Sequence, residues 1–408
     1  MSGTPQGSIW RQPAQVWAVA FACVVAFMGI GLVDPILPAI AESLEASPVE
    51  TELLFTSYLL VTGLAMLITS WISSRIGAKA TLLVGLGLIV VFALLCALSG
   101  SVVGVIGFRA GWGLGNALFI STALATIIGA AAGGSGAAIV LYEAALGLGI
   151  AVGPLLGGLL GELSWRGPFF GVVALMAIGF IAVLTLVRPD GERREPMPFS
   201  APFRALRRPA LAVLAVAALF YNIGFFVLLA FSPFPLGFGA MGIGLTFFGW
   251  GVALAVTSVW VAPALMRRTS RTSIMLVALA LLAVDLIAAG IVVASPAALV
   301  VCIVAGGLLL GVMNTVLTEA VMEATDLPRS VASSAYSAVR FLGGAMAPPT
   351  AAALAHAYGD TVPYLFAAGA VLLAALTVLL GRRALAHIDE SGSDEGEDAA
   401  AVLIGDAT

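Results

Sequence analysis

Apolar residues run along this chain in blocks of about twenty or more, separated by short polar or charged turns, from one end to the other. A helix rises ~1.5 Å per residue, so a block of that length crosses the ~30 Å hydrocarbon core of a bilayer. The blocks predict twelve spans, at about 15–39, 52–73, 80–98, 102–129, 134–161, 165–187, 209–236, 241–266, 272–294, 297–325, 330–357 and 362–381. Several exceed the minimum crossing length, which tilt and protruding ends absorb. The longest polar stretches are the first dozen residues, a middle loop and the tail.

Composition agrees with this reading. With 61% hydrophobic and 10% charged residues in 408, the chain lacks the polar surface of a soluble protein of its size. An all-α, multi-pass membrane protein is expected. Lys and Arg set its orientation. If both termini lie inside, the inner loops hold Arg75 and Lys79, then six arginines from Arg188 to Arg208, then Arg267, Arg268, Arg271 and Arg329. The outer loops hold only Arg166. That bias predicts cytoplasmic termini. The first apolar run contains Asp34 and two prolines and lacks a small-residue cleavage site, so it reads as a retained span.

Other classes find no support. The basic residues form no stripe interleaved with aromatics, so nucleic acid is not an expected partner. Cys23, Cys96 and Cys302 lie in apolar runs, form no CxxC, and cannot complete a metal site with His356 and His387. No cofactor and no metal are expected. The G-x-x-x-x-G-K-[ST] phosphate loop is absent, so ATP is not the expected energy source.

The chain also repeats itself. The middle loop divides it into residues 1–187 and 209–385, joined by a basic linker at 188–208 and followed by an acidic tail at 386–408 that is expected to be solvated and disordered. Arg75 to Lys79 before span three echo Arg267 to Arg271 before span nine, at an offset of 192. Asp34-Pro35 echoes Ser232-Pro233 at 198, and Tyr142, Gly149 and Pro154 echo Tyr336, Gly343 and Pro348 at 194. Similar halves around a midplane site are a transporter architecture.

Four motifs then resemble the major facilitator superfamily, in its twelve-span drug:proton antiporter branch. The loop Ser70 to Lys79 is similar to the family's G-x-L-a-D-R-x-G-R-K loop, keeping Arg75, Gly77 and Lys79, with Ser70 for a glycine, Ser74 for the aspartate and Ala78 for an arginine. Arg109 and Gly113 resemble R-x-x-Q-G, with Trp112 for the glutamine. Gly149, Gly153, Pro154, Gly157 and Gly158, with Gly147, resemble the antiporter signature of span five, and Asp34 to Pro38 resemble the branch's proline-rich end of span one. The resemblance implies two pseudo-symmetric six-helix bundles, an aspartate clamp that Ser74 must weaken or replace, and a link between Arg109 and proton coupling.

Physical chemistry supplies the candidate sites. Gly149, Gly153 and Gly157 share one helix face and admit a close neighbour, while Pro154 removes a backbone hydrogen bond. A close-packed, bendable helix at the junction of the halves suits a rocking carrier, and a static seam fits the same residues. Arg109 lies too deep to snorkel fully, so an inward, paired arginine is expected. The resemblance implies that spans one and four both face the central cavity, so Asp34, at nearly the same depth, is the expected partner of Arg109 and a candidate proton site. Glu143, in span five, is a second candidate proton site, because burial makes its charge costly. Cavity candidates are Asn116 and its echo Asn314, and Arg340, with Asn222, Phe225 and Phe226 added because the resemblance implies that span seven lines the cavity. The resemblance also implies a peripheral span nine, so Asp285 reads as structural, and Glu319 and Glu323 read as interfacial charges.

The function expected from all this is export of a small lipophilic or cationic compound in exchange for protons, by a monomeric carrier in a bacterial plasma membrane. A metabolite or lipid exporter on the same fold remains open. A membrane enzyme acting on lipid would need a reactive cluster that the sequence does not offer.

Overall fold

Every predicted apolar block is helical in the computed structural model, which describes residues 12–132, 134–189 and 197–405; no strand occurs among them. Spans one to six are Ala14–Gly31, Pro48–Ile76, Ala78–Leu98, Val102–Ala130, Gly134–Gly161 and Gly167–Leu186. Span seven starts with Pro209–Phe226 and span eight with Ala240–Val256; spans nine to twelve are Arg271–Val292, Pro296–Glu323, Arg329–Tyr358 and Thr361–Gly405. Eleven of these are long and apolar enough to cross a membrane. Span eleven falls short in hydropathy in part because Ser333, Ser334, Ser337 and Arg340 lie on it; of these Ser334, Ser337 and Arg340 line cavities inside the protein.

Local chemistry sets the ends. Span two begins at a capping box, in which the Ser47 hydroxyl accepts from the Glu50 amide and the Glu50 carboxylate accepts from the Ser47 amide at 2.8 Å. Ser101 caps span four in the same sense, accepting from Gly104 N. Gly77 separates spans two and three at φ +87°, a backbone state that favours glycine.

Prolines explain where helices depart from the predicted blocks. The block predicted to run to 39 stops at Gly31, and a 3-10 turn Asp34–Ile36 and a short helix Leu37–Ser43 follow. Pro35 and Pro38 cannot donate the amides that would carry the helix on. Spans seven and eight widen instead, into π-helical turns Val227–Phe231 and Thr257–Val261, before closing as Pro233–Leu236 and Ala262–Met266. In both, the carbonyl four residues before the proline (Leu229 before Pro233, Val259 before Pro263) lies in the widened turn, where the ring clash is relieved. In span eleven the carbonyl that Pro349 leaves without its helical donor, Ala345 O, accepts from Thr56 of span two at 3.4 Å.

Span twelve extends past the predicted end near 381. Leu385 and Ile388 are buried, Ile388 O accepts from Arg271 Nη1 at 3.1 Å, and Asp389 caps Thr272 N at 3.0 Å. The acidic side chains after Asp389 lie outside the described residues.

The helices form two six-span bundles with matching internal contacts. A β-carbon at Gly149 would strike the Val24 carbonyl, and one at Gly343 would strike the Leu219 carbonyl: span five on span one, and span eleven on span seven. Gly113 sits against Tyr58 O and Thr62 Oγ1, as Gly311 sits against Leu254 O and Thr257 Oγ1. The bundles meet along two seams, span two on span eleven and span five on span eight. Small residues line both, with Gly63 against Ala338 O and Gly244 against Pro154 O. Arg75, Lys79, Arg267, Arg268, Arg382 and Arg383 share one end of the molecule, here called the basic end.

Candidate functional site

Between the bundles the centre is nearly closed. A pocket of about 30 Å³ remains there, walled by Phe27 and Tyr142 from the first half and by Asn222, Phe225, Phe226 and Arg340 from the second. That is room for about one water. A cavity of about 560 Å³ opens on the basic side of this block. A second, of about 380 Å³, lies toward the opposite end and includes Glu52, Phe231 and Asp360.

Arg340 lines the closed centre, and Glu143 of the other bundle lies within reach of its charge. Glu143, on span five, is 1% exposed. The Thr318 hydroxyl of span ten hydrogen-bonds it, and Arg340 of span eleven acts on its charge. Its second oxygen, Oε2, has no hydrogen-bond partner among the described residues. Tyr142, Tyr221 and Tyr336 surround Arg340 closely enough to interact electrostatically with it. A buried carboxyl facing a guanidinium across a movable seam is sensitive to their separation: paired, its charge is tolerable; apart, a proton must replace the partner. The sequence offered Glu143 and Arg340 separately and missed both their meeting and the tyrosines around them. Tyr142 and Tyr336 were visible as a repeat, and that symmetry was the available signal.

Arg109 occupies a different place. It is 0% exposed, donates to Gly29 O of span one and Leu54 O of span two at 3.3 Å each, and stacks on Tyr58 at 4.4 Å and Trp112 at 4.9 Å. All of these belong to the first bundle, and Arg109 lines neither the central pocket nor the basic-side cavity. Trp112, standing where the resembling motif has glutamine, supplies a ring face to the guanidinium. The side chain of Asp34, its expected partner, lies outside the described residues; the backbone places Asp34 in the turn after span one, five residues beyond Gly29.

The glycine motif of span five has two faces, where one shared junction was expected. Gly149, Gly153 and Gly157 face the carbonyls of Val24, Met28 and Leu32 on span one, inside the same bundle. Gly147 and Gly158 face Ala255 and Ala240 of span eight, across the seam. Pro154 stays within a continuous helix, and its carbonyl lies against Gly244 of span eight.

At the basic end the loop after span two joins the linker. Ser74 Oγ donates to Trp71 O at 2.9 Å and accepts from Met197 N at 3.0 Å. Arg75 stacks on Trp71, whose ring meets Phe199 edge-on. Lys79 Nζ donates to Leu184 O at 2.7 Å. A neutral hydrogen bond to the linker thus stands where an aspartate clamp would act.

The remaining candidates divide. Asn222, Phe225 and Phe226 line the central pocket. Asn116 and Asn314 are buried beside it and pair with tyrosine hydroxyls, Asn116 Nδ2 donating to Tyr58 and Tyr221 donating to Asn314 Oδ1 at 2.7 Å. Asp285 lies next to Gly306 of span ten, away from the centre. Glu319 and Glu323 receive Arg271 at 3.7 and 2.8 Å at the basic end. No group of three metal-ligating side chains occurs among the described residues.

A family profile described as Major Facilitator Superfamily matches residues 19–348. The chain is 52% identical over 377 residues to the Bacillus subtilis (strain 168) protein named multidrug efflux protein YfmO, covering 92% of this chain and 95% of that one. Its fold is similar to that of the human organic anion transporter MFSD10, with a TM-score of 0.73 at 17% identity, over 90% of this chain and 99% of the other. It is similar also to a D-xylose-proton symporter, with a TM-score of 0.74 at 14% identity, over 89% and 96%.

Proposed function

Because the chain belongs to the Major Facilitator Superfamily, we propose that it is a proton-coupled exporter of small lipophilic compounds that works by alternating access. The observation that carries the coupling is the buried Glu143 carboxyl of one bundle, hydrogen-bonded by Thr318 and within reach of the charge of Arg340, both of the other bundle, beside the closed centre. Rocking the bundles apart separates Glu143 from Arg340, and the carboxyl then takes a proton from whichever side is open. Bringing them together releases it. Asn222, Phe225 and Phe226 form the adjoining wall for cargo. Arg109 holds spans one, two and four together and sets the environment of the turn at Asp34, which is the second candidate for the exchanged proton.

The basic end faces the cytoplasm of a bacterial cell, by the one-sided Lys/Arg distribution, so both termini lie inside. The carrier acts as a monomer with small molecules and protons as its partners, without cofactor or catalytic residues. The efflux name of the relative 52% identical to it favours drug export over metabolite or lipid export.

Everted membrane vesicles test the reading. Respiration acidifies their lumen, and adding an exported compound should raise internal pH as protons leave in exchange. Glu143→Gln should abolish that signal, and Asp34→Asn should leave it. An intact signal in Glu143→Gln, lost in Asp34→Asn, would transfer the coupling role to Asp34.

A further inference from the structure

The cavity on the basic side has a chemistry unlike that of the centre. Its walls include Ser70 from span two, Ser121 and Thr122 from span four, and Ser334 from span eleven, with Met197 of the linker at its edge. All four hydroxyl-bearing residues are at least nine-tenths buried. None of their hydroxyl oxygens has a hydrogen-bond partner among the described residues. Side-chain hydroxyls normally back-bond to their own helix, as Thr69 does to Ala65 O in the same cavity. Four that forgo this line one cavity, and turning their hydroxyls inward offers donors and acceptors to whatever enters. Buried polar groups left unpaired are costly, so an entrant that pairs them is favoured.

No residue on the cavity's described lining is ionisable. The nearest acidic groups on span ten, Glu319 and Glu323, are engaged by Arg271. Arg75 and Lys79 follow the lining residues Ser74 and Ala78 in sequence, so the cavity opens toward the basic end. A permanent cation entering from the basic end would meet no carboxylate among the described lining residues to replace its hydration. An uncharged molecule with several hydrogen-bonding groups does not meet that cost. The volume of about 560 Å³ falls in the range for drug-sized ligands.

We propose that this hydroxyl-lined cavity is a loading site for uncharged, hydrogen-bonding lipophilic compounds, which it selects over permanent cations before they reach the centre. The proposal rests on the export reading above and narrows its substrate class. Because Ser70, Ser121 and Thr122 belong to one bundle and Ser334 to the other, an occupant bridges the halves. The Ser74 hydroxyl, bonded to Met197 N, holds the linker as the remaining wall.

The test is equilibrium binding to the purified full-length protein in lipid nanodiscs, with no proton gradient. The probes are radiolabelled chloramphenicol, which is uncharged and rich in hydrogen-bonding groups, and tetraphenylphosphonium, a permanent cation. Wild-type protein should bind chloramphenicol saturably and more tightly than tetraphenylphosphonium. The triple variant Ser121→Ala, Thr122→Val, Ser334→Ala keeps the shape and removes three hydroxyls. It should lose about tenfold in chloramphenicol affinity, roughly two net hydrogen bonds, with tetraphenylphosphonium unchanged. Absence of saturable chloramphenicol binding, tighter binding of the cation, or a loss below about threefold overturns the proposal. If the triple variant does not fold, Ser121→Cys replaces it: chloramphenicol should slow its alkylation by N-ethylmaleimide, and lack of protection overturns the site. Vesicle export is scored separately. Binding without export of any compound defeats the transport reading and leaves the site; export of both probes with binding unaffected by the variants does the reverse.

Discussion

Replacing Gly153 with alanine should loosen the first bundle. A β-carbon there would lie 2.5 Å from the Met28 carbonyl oxygen of span one. An ordinary carbon–oxygen contact is about 3.3 Å, so the helices must part by about 0.8 Å. The obstacle is backbone, which has no rotamer to give. Overpacking of this kind costs about 1–3 kcal/mol, while alanine returns about 1 kcal/mol in helix propensity. Gly249→Ala isolates the second effect, because its nearest neighbour, Val304 Cγ2, would be 3.6 Å from the new carbon. The difference between the two variants is therefore the packing cost itself, about 1–3 kcal/mol. Thermal unfolding of both purified proteins in one detergent measures it: Gly153→Ala should melt below wild type and Gly249→Ala at or above it. Gly153→Leu or Gly157→Leu should insert into the membrane yet export nothing. Equal melting temperatures for Gly153→Ala and Gly249→Ala, with full transport by both, would refute the packing argument. Gly158→Ala adds a contrast, since its β-carbon would meet Ala240 O across the seam at 2.8 Å. It should shift the balance between inward- and outward-open states, read by cysteine accessibility, with less loss of stability than Gly153→Ala.

Other substitutions probe the remaining contacts. Ser74→Ala removes the acceptor for Met197 N, worth about 1 kcal/mol, and should speed proteolysis of the linker without abolishing transport. Arg340→Ala leaves Glu143 without its facing charge; export should fall by more than tenfold, and Arg340→Lys should rescue it in part, as measured in vesicles. Arg109→Lys keeps the charge but loses the planar fork that reaches Gly29 O and Leu54 O while stacking on two rings, and should lower the melting temperature more than Lys79→Arg does. Arg271→Ala should destabilise the basic end of spans nine, ten and twelve, seen as faster hydrogen exchange there, with coupling unchanged.

Much of this protein follows from local rules. Apolar blocks long enough for a bilayer must be helical, because a helix is the only open chain form that satisfies its own backbone there. Turn chemistry such as Ser47 with Glu50, and Gly77 at positive φ, is readable from residue type. The offsets near 194 between Tyr142 and Tyr336, and between Gly149 and Gly343, announce two halves before any contact is known. What the sequence could not settle is which way each face turns. A three-residue break at Pro35 or a π-helical turn before Pro233 or Pro263 rotates everything after it, and a helical period cannot register such rotations. The glycine face of span five therefore looked like one surface and is two, one against span one and the other against span eight. Arg109 was expected inward, and it is packing that sets Gly29, Leu54, Tyr58 and Trp112 around it. Glu143 and Arg340 stand in different halves of the chain, and only the packing of one bundle on the other makes them neighbours. The four unpaired hydroxyls come from three helices; read singly, Ser70 is only a motif departure, and Ser121, Thr122 and Ser334 are polar residues in apolar runs. Their convergence is a property of the seam, which no single helix encodes.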